Sequence, residues 1–203
     1  MDLLHPCPST LQAHVPRGEG SSAVIIHLMK TYVAFLRAIN VSAGRGVKME
    51  DLKQVFKSFD LENVQTFIQS GNVIFESKNE VGGALVKLIE SRLETMLGYK
   101  SDVFLRTIEE VTAIANQRFY KPKEDETMHI VFLNEAPDKK AHQALISFNS
   151  QADDFKVKGR EVYNLRRDRN KSVFSNNFVE RILKAPATTR NLTTVKKIVE
   201  KYG

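Results

Sequence analysis

The chain has 203 residues, 42% of them apolar and 27% charged, with a formal net charge of +6; this suits one compact chain or two small subdomains sharing a core. No apolar run approaches the roughly 20 residues a membrane-crossing helix needs, and a single cysteine, Cys7, permits no intrachain disulfide. With no secretory pattern present, a soluble cytoplasmic protein without membrane contact is expected.

Residues 1–29 contain Pro6, Pro8, Pro16 and the run Gly18-Glu19-Gly20-Ser21-Ser22, and they lack sustained periodicity. They read as a disordered leader or extension. From Tyr32 the pattern alternates. Tyr32 to Arg37 is a continuous apolar strand, followed by a loop over residues 40–47 and a helix over Met49 to Phe59 with Leu52, Val55, Phe56 and Phe59 on one face. Val64 to Gln69 and Asn72 to Phe75 form a hairpin around Ser70-Gly71. A helix over Val81 to Leu97 and a strand over Asp102 to Arg106 complete the order βαββαβ. That order is the split βαβ arrangement of a ferredoxin-like unit, assigned to residues 30–106.

Residues 107–203 partly repeat it. A connecting helix over Thr107 to Gln117 precedes a strand over Met128 to Leu133 and a helix over Lys139 to Phe148. A hairpin turning at Gly159-Arg160 follows, and helices over Phe178 to Leu183 and Thr193 to Tyr202 close the chain. The expectation is an α+β protein: a ferredoxin-like unit, then a second, imperfectly repeated α/β half that ends in basic helices. Because the first strand is apolar on both faces, its sheet should be covered on both sides, by the second half.

Charge is unevenly spread. From Lys156 to Gly203, 13 Lys and Arg stand against 4 Asp and Glu, a net of +9, so the remainder carries −3. Such an end suits an anionic small molecule, nucleic acid or an acidic partner; a solvated Lys-rich face explains it equally well.

Several chemistries lack their motifs. The chain has no phosphate-binding P-loop, no dinucleotide-binding glycine fingerprint, no nucleophile elbow and no zinc spacing. No cofactor or metal is therefore expected, and His129 and His142 read as structural or surface residues. In a βαββαβ unit the end of the first strand and the following hairpin meet at one sheet edge. That edge gathers Arg37, Asn40, Ser42, Arg45, Gln69, Ser70 and Asn72, whose guanidinium, amide and hydroxyl groups suit phosphate or carboxylate recognition. Loop capping is the plainer explanation for the same residues. A second candidate is the turn Thr188-Thr189-Arg190-Asn191, where Thr189 or Asn191 could cap the last helix while Arg190 faces an anion.

The expected function is thus binding of a phosphate- or carboxylate-bearing ligand, with catalytic residues and oligomeric state left open. The alternatives are a nucleic-acid contact protein using the basic half and a small cofactor-independent enzyme. An RNA-recognition module shares the βαββαβ order, but where it would expose aromatics on the third strand this chain has Asn72 and Ile74.

Three segments carry a family resemblance: Phe35-Leu36-Arg37-Ala38-Ile39-Asn40-Val41, Ile68-Gln69-Ser70-Gly71-Asn72-Val73-Ile74-Phe75, and Thr188-Thr189-Arg190-Asn191-Leu192-Thr193-Thr194-Val195. In that order the chain resembles a bacterial family of small proteins catalogued as a domain of unknown function, from about Lys30 to Gly203. Members are described as α+β with ferredoxin-like elements. This sequence departs from the family pattern at Ala38, at Ser42-Ala43 and at Leu192, where many members have tryptophan. The resemblance implies a fold and carries no reaction.

Overall fold

The computed structural model describes residues 29–39, 47–67 and 71–203. The expected leader therefore lies outside them except for Met29, as do Asn40, Ser42, Arg45, Gln69 and Ser70. The first unit runs β1 (Lys30–Leu36), α1 (Met49–Lys57), β2 (Glu62–Thr66), β3 (Asn72–Ser77), α2 (Gly83–Leu97) and β4 (Val103–Thr107), followed by α3 (Ile108–Ala115). Its strands form an antiparallel sheet in the order β2-β3-β1-β4.

The second half runs β5 (Thr127–Leu133), α4 (Lys139–Ile146), β6 (Asp153–Lys158), β7 (Glu161–Arg166), α5 (Asn176–Leu183), β8 (Ala187–Asn191) and α6 (Leu192–Tyr202). Its sheet order, β6-β7-β5-β8, matches the first strand for strand. The second α+β half is there as expected, and one element of it is corrected: residues 187–191, whose Thr188-Thr189-Arg190-Asn191 stretch reads as a turn, are a strand paired with β5. The sequence therefore folds as βαββαβα twice.

Registers make the correspondence residue by residue. Lys30 stands opposite Ser77 as Thr127 stands opposite Arg166, and Tyr32 opposite Thr107 as His129 opposite Asn191. Phe35 of β1 and Phe132 of β5 are consequently the same position in the two repeats. Their rings stack with centroids 4.0 Å apart and planes inclined by 15°.

Three apolar layers follow from strand alternation. Tyr32, Ala34 and Leu36 face α1 and α2; Val131 and Leu133 face α4 and α5. The opposite faces, with Val33, Phe35, Ile130 and Phe132, meet in a central layer that also takes Val111 of α3 and Val195 and Ile198 of α6. Strand β1 is thus buried on both faces, as its unbroken apolar run requires.

Candidate functional site

The described members of the expected edge are joined by hydrogen bonds between the two repeats. Leu36 donates its N–H to the Gly71 carbonyl at 2.8 Å, which brings the end of β1 beside the β2–β3 hairpin. Gly71 has φ +66°, and a Cβ there would come within 3.0 Å of the Ile39 Cβ, so the hairpin needs its glycine.

Arg190 reaches this corner from β8. Its Nε donates to Asn72 Oδ1 at 2.6 Å, Nη1 to Thr188 Oγ1 and the Thr189 carbonyl, and Nη2 to the Leu36 and Gly71 carbonyls at 2.9 and 3.1 Å. All five guanidinium donors are engaged by neutral oxygens. The residue is 7% exposed, and burial pushes its pKa down to about 10, which leaves it charged at neutral pH. Thr188 adds a hydrogen bond to the Leu36 carbonyl, and Asn72 donates to the Phe67 carbonyl.

The first repeat does the same in reverse. Arg106, at the register position of Arg190, donates Nε to Glu161 Oε1 at 2.8 Å, Nη1 to the Leu105 carbonyl, and Nη2 to the Leu133 carbonyl. Burial lowers its pKa more than Glu161 raises it. Arg190 lies over the Phe35 ring and Arg106 over the Phe132 ring, each 5.7 Å from the centroid. Each arginine thus closes the partner repeat.

Arg37 is spent in the same joint. It donates Nε and Nη2 to the two oxygens of Glu180 in α5, at 2.6 and 3.0 Å, and Nη1 to Asp102 at 3.1 Å. The Glu180 carboxylate holds its pKa above the ordinary value. Thr189 bonds Asn176, and Asn191 caps α6 by accepting from the Thr193 N–H. Arg190 thus bonds Asn72, while the side chains of Arg37, Thr189 and Asn191 bond residues outside the candidate set, and of the expected edge only residues outside the described segments are left unplaced.

Sequence reasoning missed a groove on the opposite side of the joint. It encloses about 550 Å³ between α2 and the second repeat, and Lys30, Gly82, Gly83, Lys87, Glu90, Asn134 and Glu135 are part of its lining. Two other lining arginines are paired, Arg106 with Glu161 and Arg160 with Glu110. Helix α2 begins at the groove with Gly82 as its N-cap and no side chain capping its first amides. The pattern signal available in the sequence was Gly82-Gly83 at a helix start, and the expected helix over Val81 to Leu97 absorbs both glycines, where the structure makes Gly82 the N-cap.

Architecture and joint together define a class: an α+β protein made of two βαββαβα repeats held by reciprocal buried arginines. The chain belongs to the DUF1697 family, described as a protein of unknown function, whose pattern matches residues 29–163. It is also similar in structure to the conserved bacterial protein SP0830 from Streptococcus pneumoniae, at 22% identity and a TM-score of 0.67, over 86% of this chain and 98% of that one. At that identity the likeness is one of fold. The comparison with curated proteins gives no match.

Proposed function

We propose that the protein binds a small ligand bearing a phosphate or carboxylate, and that the groove beside α2 receives it. The observation that carries this reading is the convergence of uncapped helix amides with two unpaired lysines. Gly82 supplies no capping side chain, so the N–H groups of the first turn remain available to an anion. Among the described residues neither Lys30 nor Lys87 makes a close ion pair, Lys30 acting on Glu109 only at longer range, and both line the same opening. A carboxylate or phosphate placed there would meet oriented amides and two flanking cations.

The basic C-terminal half supports nucleic-acid contact less well than its charge count implies. Arg190 is buried, Arg160 is paired with Glu110, and Arg167 lies between Glu126 and Asp154. Fewer cations are left for phosphate contacts than the net of +9 suggests.

Thermal shift tests the reading, because a ligand that binds only the folded chain stabilises it by mass action. Inorganic phosphate at low ionic strength should raise the melting temperature of the wild type. The paired substitution Lys30→Ala with Lys87→Ala should remove most of that shift while leaving the unliganded chain close to wild type. An equal shift in the variant would place any anion elsewhere.

A further inference from the structure

Glu180 does two things in the second repeat. Its Oε1 accepts from the N–H of Ala187, the first residue of β8, at 2.8 Å. The same carboxylate grips the Arg37 guanidinium through Nε and Nη2. The first repeat holds the equivalent carboxylate: Glu90 of α2 accepts from the N–H of Val103, the first residue of β4, at 2.9 Å. Arg37 directly follows β1, and the residue that directly follows β5 is Asn134.

The second repeat therefore receives a guanidinium from its neighbour, whereas the position facing the first repeat carries only the short neutral Asn134. What separates Glu90 from Asn134 is the groove. Among the described residues no cation pairs with Glu90 or with Glu135, which lines the same space. The molecule thus contains one carboxylate seat filled by its own arginine and an equivalent seat opening on a cavity.

We infer that the groove seats the guanidinium of a small ligand on Glu90, in the way Glu180 seats Arg37. This rests on the groove as the anion site and supplies the other end of the ligand. The ligand class is a compact molecule with a guanidinium at one end and a carboxylate or phosphate at the other. Gly83 and Glu90 are seven residues apart on α2, which at 1.5 Å per residue is about 10 Å. That separation suits an extended amino acid with a long side chain. A planar guanidinium matches the carboxylate with two parallel bonds, which a point-charge ammonium does not.

Calorimetric titration of the full chain at low ionic strength tests this with four probes: L-arginine, agmatine, which lacks the carboxylate, L-citrulline, whose urea is neutral, and inorganic phosphate. Arginine should bind tightest, agmatine measurably, and citrulline at least about tenfold more weakly than arginine, the smaller end of what a charge-assisted pair contributes. Glu90→Gln keeps an acceptor for the Val103 N–H and should lose a similar factor for arginine and agmatine while retaining the phosphate response. Asn134→Arg should fill the seat from within, raising the melting temperature and abolishing binding of both guanidinium probes.

Arginine binding no tighter than citrulline, or guanidinium binding unchanged in both variants, overturns the proposal. Phosphate or citrulline binding without agmatine binding leaves the anion reading standing and removes the guanidinium seat. Agmatine binding without any phosphate response keeps the seat and removes the anion reading. N-acetylarginine amide binding more tightly than free arginine would overturn the small-molecule assignment, since its guanidinium sits in a peptide-like frame without a free carboxylate.

Discussion

Arg106 stands opposite Val33 and Arg190 opposite Ile130, equivalent register positions in the two repeats, and each side chain crosses into the other repeat to bond the carbonyl at the end of its central strand. This reciprocity is the pattern of a self-complementary two-fold interface, here built within one chain. The polar joint fixes how the repeats sit, because a shifted packing would strand the guanidinium donors of two arginines that are 1% and 7% exposed.

Truncating either arginine should therefore act on stability. Arg190→Ala removes one donor each from Asn72 Oδ1 and from the Leu36 and Gly71 carbonyls, and Arg106→Ala leaves Glu161 without its cation. Each should cost about 3 kcal/mol or more in denaturant unfolding. Lysine at either position should recover little, since one ammonium cannot reproduce five donors in a plane. A loss below about 1 kcal/mol for Arg190→Ala would mean that water takes over the vacated acceptors and that the joint is wetter than its burial indicates.

Arg37 makes a graded comparison. Its side chain is 33% exposed, so solvent screens the pairs with Glu180 and Asp102. Arg37→Ala should cost about 1 kcal/mol, clearly less than Arg190→Ala. Glu180 keeps its bond from the Ala187 N–H in the variant, which limits the damage. The two variants compared by the same urea titration give the order directly, and a reversed order would contradict the burial argument.

Acid should weaken the second repeat through His129. Its pKa lies below the ordinary 6.5, chiefly because burial penalises the charged ring and secondarily because Arg166 is close; Asn164 and Asp153 oppose the shift. A depressed histidine pKa means that the unfolded chain takes up its proton first. Stability is therefore lost as pH falls below 6.5, until the folded ring itself titrates. The buried His129 Nδ1, Asn164 Oδ1 and Arg166 Nε have no hydrogen-bond partner among the described residues, and the support that Asn164 and Asp153 give the charged ring is outweighed by burial and by Arg166. Between pH 7 and 5.5 the melting temperature of the wild type should fall more steeply than that of His129→Gln. Parallel slopes would remove His129 as the source.

Most elements were legible because their apolar periodicity is local. Leu52, Val55 and Phe56 mark α1, and the unbroken run in β1 announces a strand covered on both faces. Strand β8 was not legible, and the reason is physical. Thr188 and Arg190 point into the joint between repeats, so the residues that bury this strand are polar and satisfied by distant carbonyls. Read locally, the same residues are good helix-capping chemistry, and Asn191 does cap α6. The groove was hidden for a related reason: Glu90 and Asn134 are unremarkable helix and loop residues until the two repeats are superposed.

The groove can also be probed by closing its anion end. Gly82 has φ −97° and ψ 177°, an extended conformation open to any residue, and a Cβ there meets nothing within 4 Å. Gly82→Asp would place a carboxylate at the N-cap of α2, accepting from the first-turn amides that a ligand anion would otherwise use. Capping and the helix dipole together should stabilise the chain by about 0.5–1 kcal/mol. If those amides form the anion end of the groove, the phosphate-induced thermal shift should vanish in the same variant. Added stability with an undiminished phosphate shift would show that the cap formed and that phosphate binds away from α2. A loss of both stability and shift would mean that the new carboxylate is repelled by Glu80, which lines the groove two residues earlier, and Gly82→Ser, a neutral cap, would then carry the comparison.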